Sequence, residues 1–88
     1  MVRVQQRLRT VPNQPGVYLF KDSHEKVLYI GKSASLQNRL RSYFGPTEGL
    51  SPKIRKLVSK VVDFDLILTD SEAEALILEC TLIKQFRP

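Results

Sequence analysis

Residues 16–31 read GVYLFKDSHEKVLYIG, and this stretch decides the fold. Its two ends, 16–21 and 27–31, are rich in aromatic and β-branched residues, a composition typical of strands. Between them, the sequence Asp-Ser-His-Glu at 22–25 supplies turn chemistry. The pattern therefore predicts a β-hairpin with a loop of about four or five residues.

The alternation of side chains along each predicted strand decides which residues share a face of the hairpin. Tyr18 and Phe20 lie two residues apart and share one face, whereas Tyr29 and Ile30 are neighbours and point to opposite faces. Gly31 is predicted to end the second strand. Its missing side chain would leave room there for a ligand or for another backbone.

Five further elements complete a small α+β fold. The patterns predict a short helix over 3–8, a helix over 35–44, a helix capped by Ser51 with Pro52 in its first turn, a strand over 63–69, and a helix that follows a Ser71–Glu74 capping box and runs to about Phe86. The strand over 63–69 is more apolar than an alternating strand, which predicts cover on both of its faces. The expected architecture is a three-stranded, mainly antiparallel sheet flanked by helices.

The size and composition of the chain limit the classes of protein to which it can belong. Its 88 residues fit one domain, and the chain is expected to be a fragment, residues 1–88, of a longer protein. No stretch approaches the roughly 18 consecutive apolar residues of a membrane helix, and the polar N-terminus does not resemble a signal peptide, so a cytoplasmic location is expected. The single cysteine, Cys80, excludes an internal disulfide and is expected to be a small core residue.

The charge of the chain is positive and unevenly distributed. The net charge is +5 with a pI near 9.7. Residues 1–60 carry twelve Lys and Arg against three acids, whereas residues 61–88 carry two against six. A concentrated positive potential favours a polyanionic partner such as DNA. A solvated basic surface without a partner accounts for the charge equally well.

Glu79 does not fit its place on the last predicted helix. A helical wheel places the polar residues Glu74, Thr81, Lys84 and Gln85 on one side and Ala75, Leu76, Leu82, Ile83 and Phe86 on the other. Glu79 falls within the apolar group, roughly 160° from the polar centre. A carboxylate among apolar side chains is costly to ionise without a compensating partner. A salt bridge, a raised pKa and a bound metal all remain open as explanations.

Arg39 lies at the border of the apolar face of the helix predicted over 35–44, three residues after Leu36 and four before Tyr43. Its aliphatic stem can lie along the edge of the core while the charge remains in water. Alternatively, its guanidinium can hold a phosphate through two parallel hydrogen bonds. Lys32, directly after Gly31, is a second cation near the hairpin.

Taken together, these residues resemble the signature of the GIY-YIG nuclease family. Gly16-Val17-Tyr18 is separated by ten residues from Tyr29-Ile30-Gly31, and the valine keeps a β-branched strand residue where the family has isoleucine. Lys32, Asn38 to Tyr43 and Glu74 to Glu79 follow in the order of the family. The resemblance covers residues 15–88. The sequences LRSYF at 40–44 and LIK at 82–84, with Arg-Pro at 87–88, resemble the branch of bacterial nucleotide excision repair.

The resemblance implies a metal-dependent endonuclease that makes the 3′ incision in double-stranded DNA carrying a lesion. A UvrB-type damage-recognition subunit would bind regions outside this fragment, and no membrane would be involved. Glu79 would bind a single divalent cation, Mg²⁺ or Mn²⁺, whose other ligands are water and phosphate oxygens.

The resemblance also implies roles for the remaining site residues. Tyr29 would be the general base, with Lys32 lowering its pKa, and Arg39 would stabilise the charge on the phosphate. Tyr18 and Tyr43 would frame the site. The expected DNA contacts are Lys32, Arg39 and Arg41.

Two other functions are compatible with parts of the sequence. A basic domain that binds nucleic acid without cutting it explains the charge but leaves Glu79 unexplained. A GIY-YIG nuclease of another branch, such as a restriction or homing enzyme, would add sequence-reading segments, for which 88 residues leave little room.

Overall fold

The computed structural model describes residues 2–45 and 50–87, and all seven predicted elements are present in it. They are α1 (Val2–Leu8), β1 (Gly16–Lys21), β2 (Val27–Ser33), α2 (Leu36–Phe44), α3 (Pro52–Lys60), β3 (Asp63–Leu68) and α4 (Glu72–Phe86). The second strand continues two residues beyond its predicted end at Gly31. Most of the predicted loop between α2 and α3 lies outside the described residues. No helix in the described ranges is long and apolar enough to cross a bilayer.

The three strands form an antiparallel sheet in the order β2-β1-β3, which confirms the predicted α+β architecture. Within the hairpin, Tyr18 pairs with Gly31 and Phe20 pairs with Tyr29. The turn is held by the carboxylate of Asp22, which accepts hydrogen bonds from the backbone N–H groups of His24 and Lys26. Such a side chain replaces the backbone partners that a tight turn lacks.

Helices cover both faces of the sheet. One face carries Tyr18, Phe20 and Phe64 and packs against residues of the first three helices, among them Val4, Leu36, Leu40, Phe44 and Val58. The other face carries Val17, Leu19 and Ile30 and packs against Ala75 and Leu82 of α4. The predicted separation of Tyr29 from Ile30 is confirmed, because Ile30 belongs to the α4 side and the Tyr29 ring contacts Phe20 on the other side.

The expectation that the third strand is covered on both faces is wrong. β3 is an edge strand, and Asp65 and Ile67, on its α4 face, are exposed. The reason is the position of α4, which packs over β2 and β1.

Ser51 and Ser71 cap the last two helices as the sequence predicts, and Ser35 caps α2 in the same way. Ser35, Ser51 and Ser71 each accept a hydrogen bond from the N–H group three residues later. The Glu74 carboxylate reaches back one residue further than a capping box requires and accepts from the N–H group of Asp70. These caps fix where α2 and α4 begin, and therefore where their site residues lie.

Candidate functional site

Three tyrosines from three elements form one cluster, consisting of Tyr18 on β1, Tyr29 on β2 and Tyr43 on α2. The hydroxyl oxygens of Tyr18 and Tyr43 are 3.2 Å apart and share a hydrogen bond. The Tyr18 ring centroid lies 6.2 Å from that of Tyr29 and 5.8 Å from that of Tyr43. Tyr18 is 2% exposed and Tyr29 is 37% exposed. The cluster therefore extends from the core to the surface, and Tyr29 is its solvent-facing end.

Gly31 is required for this cluster because of a close approach by a side chain. A Cβ atom at Gly31 would overlap with the ring and hydroxyl of Tyr18, its partner across the hairpin. The missing side chain was expected to admit a ligand or a backbone at the end of a strand. Gly31 instead lies within β2, and the Tyr18 ring fills the space that a side chain would occupy.

Arg39 extends from α2, one helical turn before Tyr43, and is exposed. Its positive charge lowers the pKa values of both Tyr18 and Tyr29, which places the guanidinium beside the cluster. Among the described residues it has no hydrogen-bonded or ion-paired partner. The five N–H donors of its guanidinium are therefore available to a ligand.

Glu79 is half-buried on α4, and its negative charge contributes to the raised pKa of Tyr29. The carboxylate is therefore close to the tyrosine cluster, although it comes from the opposite face of the sheet. β2 is an edge strand. Side chains from the two faces of the sheet can therefore approach each other past the unpaired edge of β2.

The predicted surroundings of Glu79 are only partly correct. Ala75 and Leu82 are buried, but Leu76, Ile83 and Phe86 are 47%, 40% and 45% exposed. The reason is that α4 rests on the sheet along a narrow stripe, and these three side chains lie beside or beyond that stripe. Cys80, expected in the core, is exposed for the same reason. Glu79 therefore lies at the rim of the packed face with access to water.

Burial is the largest cause of the altered tyrosine pKa values. It raises the pKa of Tyr29, and the Tyr43 hydroxyl and the Glu79 charge raise it further. Burial also raises the pKa of Tyr18 far above its ordinary value of 10.0, together with the hydrogen bond to Tyr43. A phenolate in an apolar environment loses hydration that its neighbours do not replace.

Lys32 does not perform the role expected of it towards Tyr29. It lies across from Val17, on the face of the sheet that α4 covers, and its ammonium group is 3.5 Å from the carboxylate of Glu72. Strand alternation points it away from the face of Tyr29. The pKa of Tyr29 is raised, and the cation that opposes the increase is Arg39.

Arg41 is exposed but is not part of the cluster. Two residues along a helix correspond to a rotation of about 200°, so Arg41 lies on the flank of α2 opposite to Arg39.

A polar groove adjoins the cluster between the end of β2 and the first turns of α2 and α4. It has a volume of about 430 Å³ and is bounded by Lys32, Asn38, Arg39 and Glu72 together with three serines. Asn38 and Ser42 were not predicted from the sequence as site residues. Their spacing of three and seven residues from Ser35 places all three on one helical face, a signal that was available in the sequence.

The site around Glu79 fits a divalent cation that retains most of its water ligands. No group of three or more His, Cys, Asp or Glu able to hold a metal occurs in the described ranges. A cation bound beside the tyrosine cluster would therefore have one protein carboxylate near it, that of Glu79. Mg²⁺ binds in this way, through one or two carboxylates, with water and substrate phosphate in the remaining positions. The half-exposed position of Glu79 leaves space for those ligands.

The raised pKa values predict how the chain titrates in alkali. It has three tyrosines and no tryptophan, so near-ultraviolet absorbance reports phenolate formation directly. We expect Tyr18 to ionise last, well above the ordinary pKa of about 10. A tyrosine whose pKa is higher in the folded than in the unfolded state stabilises the fold fully below its unfolded-state pKa. This stabilisation is lost as the pH rises towards the folded-state pKa, so the chain should lose stability above about pH 10. Tyr18→Phe should remove the delayed step. Ionisation of Tyr18 near its ordinary pKa, before unfolding, would contradict the cluster.

Comparison with known proteins identifies the family of the chain. The family model described as the UvrC-like GIY-YIG domain matches residues 14–88. UvrABC system protein C of Caldicellulosiruptor saccharolyticus is 50% identical over 88 residues, which are all of this chain and 15% of that protein. The protein of the same name in Clostridioides difficile is 47% identical, also over the whole chain and over 14% of its own length. The chain thus spans about one-seventh of the length of these relatives.

A solved structure has the same fold. The GIY-YIG N-terminal endonuclease domain of UvrC from Thermotoga maritima, bound to magnesium as its catalytic divalent cation, superposes with a TM-score of 0.85. The two sequences are 38% identical, and the match covers 97% of this chain and 91% of that one. The family match, the identity over the whole chain and the shared fold lead to one conclusion: this chain belongs to the UvrC-like GIY-YIG domain family.

Proposed function

We propose that this chain is the DNA-cutting module of an excision-repair nuclease and that it makes the 3′ incision beside a lesion. The observation that carries the proposal is that Arg39 and Glu79, from two other elements, lie close enough to the half-exposed Tyr29 for their charges to act on its pKa. A guanidinium, a phenol and a carboxylate at one accessible place are the groups that phosphodiester hydrolysis requires. A domain that only binds DNA has no need of the carboxylate, which repels phosphate.

Arg39 binds and neutralises the phosphate in this mechanism. Its exposed guanidinium, without a partner among the described residues, can donate two parallel hydrogen bonds to the phosphate oxygens. These bonds strengthen as negative charge accumulates on the phosphorus-bound oxygens in the transition state.

Glu79 would hold the divalent cation. When bound, Mg²⁺ or Mn²⁺ supplies positive charge to the phosphate and lowers the pKa of coordinated water.

Tyr29 orients the attacking water and is the candidate proton acceptor. Its hydroxyl is protonated at neutral pH, because burial, Tyr43 and the Glu79 charge raise a pKa that is already about 10 in a free tyrosine. It can therefore accept a proton only if nearby positive charge lowers this pKa, and Arg39 and a cation held by Glu79 would supply that charge. Tyr18 and Tyr43 hold the Tyr29 ring in place. The side chains of Lys32 and Arg41 contact the DNA backbone.

The cellular context follows from the proposed reaction. The substrate is double-stranded DNA carrying a lesion, and damage recognition belongs to a UvrB-type subunit that binds parts of the longer protein outside residues 1–88. Such a module works in the bacterial cytoplasm.

A crystal of the chain soaked with Mn²⁺ tests the metal assignment directly. We expect an anomalous peak within coordination distance of the Glu79 carboxylate, with the remaining ligands supplied by water. Glu79→Gln should remove the peak, since an amide oxygen is neutral and binds the cation weakly. Glu74→Gln, on the same helix, should retain it. A peak elsewhere on α4, with none at Glu79, would refute the assignment.

A further inference from the structure

The polar groove contains hydrogen-bond donors that no contact among the described residues uses. Its volume of about 430 Å³ lies within the range of about 300–1,000 Å³ that is typical of ligand sites. The Asn38 amide and the Arg39 guanidinium line it, and neither side chain has a hydrogen-bond partner in the described ranges. Lys32 supplies a second positive charge at its edge.

The serines of the groove are already occupied. The Ser33 hydroxyl donates to the carbonyl oxygen of Ser35 at 2.8 Å, and the Ser42 hydroxyl donates to that of Arg39 at 2.6 Å. The Ser35 hydroxyl donates to Asn13. A ligand would therefore meet one amide and two cations. This donor set suits the oxygens of a phosphodiester.

Glu72 opposes binding of an anion in this groove. It lines the same space, and its carboxylate lies 3.5 Å from the Lys32 ammonium group. A strong charge-assisted hydrogen bond is about 2.7–2.9 Å long, so this pair is weak. The Glu72 side chain is 59% exposed, which leaves it free to turn into solvent.

We propose that the groove binds a DNA backbone phosphate next to the one that is cut, and that Glu72 restrains Lys32 until this phosphate displaces it. The proposal rests on the proposed DNA-cutting function, because it assigns a flanking phosphate to the same substrate. Arg39 lines the groove and also interacts with the tyrosine cluster, so its five N–H donors can reach two neighbouring phosphates of one strand. Glu72 then acts as a competitor that weakens the binding of DNA at this groove.

Removal of the Glu72 charge tests this restraint. The experiment measures binding of the 88-residue chain to a short DNA duplex by fluorescence anisotropy, with a chelator present so that no cutting occurs. Glu72→Gln should tighten binding about twofold to fivefold, the effect expected from releasing one exposed ion pair.

Glu74→Gln is the matched control. It removes the same charge two residues along α4, on the opposite side of the helix, and its amide oxygen can still accept from the Asp70 N–H group. It should tighten binding less than Glu72→Gln does. Equal effects would mean that net charge alone is responsible and would overturn the proposal.

Nuclear magnetic resonance of the same chain locates the bound phosphate. Duplex DNA should shift the side-chain amide signals of Asn38, and Asn38→Asp should cancel the gain from Glu72→Gln. A shift produced by inorganic phosphate but not by duplex would assign the groove to a free anion and overturn the DNA assignment. An unchanged Asn38 signal in the presence of duplex would do so as well. These outcomes are independent of Mn²⁺ binding at Glu79, so the two proposals can fail separately.

Discussion

Replacing Glu79 with glutamine in the full-length repair nuclease is expected to lower the rate of the 3′ incision by more than about 1,000-fold. Glutamine keeps the shape of the side chain but removes the charge that would hold the divalent cation. The 5′ incision, assigned to a second nuclease centre outside this chain, should continue at its normal rate. The measurement is the separate quantification of both incisions on a duplex with one defined lesion, at saturating protein.

A second readout distinguishes loss of the site from loss of the fold. The charge on Glu79 raises the pKa of Tyr29. Glu79→Gln should therefore lower that pKa, which alkaline absorbance detects in the isolated 88-residue chain. Glu74→Gln should leave both the incision and the Tyr29 titration unchanged. If Glu79→Gln cuts at full rate while the Tyr29 pKa falls, the residue is placed correctly and its assignment as the metal ligand is wrong.

The features that were predictable from sequence depend on local alternation. The two faces of the hairpin follow from a strand period of two residues, and this alone placed Tyr18 with Phe20 and separated Tyr29 from Ile30. The serine caps are equally local, since each depends on four consecutive residues. These features required no knowledge of how the elements pack.

The exposure of several apolar side chains could not be predicted from the sequence, because it depends on how much of the sheet each helix covers. A helical wheel identifies Leu76, Ile83 and Phe86 as apolar, but their exposure depends on how little of the sheet α4 covers. The same geometry leaves Ile67 exposed on β3. Lys32 illustrates a second limit, because its pairing with Glu72 joins residues 40 apart in the chain.

Arg39→Ala is expected to slow the 3′ incision by about 100- to 1,000-fold at saturating DNA, the usual loss when a donor to a developing anion is removed. The structure supports a loss in the chemical step, because the guanidinium lies beside Tyr29 and Tyr18 without a partner of its own among the described residues. Arg39→Lys should recover only part of the rate. An ammonium group keeps the charge but cannot form two parallel hydrogen bonds to one phosphate.

Arg41→Ala is the matched comparison, since it removes the same charge from the opposite flank of the same helix. Its effect should appear in affinity, as a salt-dependence slope smaller by about one, and should disappear when DNA is saturating. The two variants therefore separate the contribution of positive charge to binding from the contribution of one guanidinium to the reaction. If Arg41→Ala lowers the saturated rate as much as Arg39→Ala does, net charge controls the incision and Arg39 has no specific role at the phosphate.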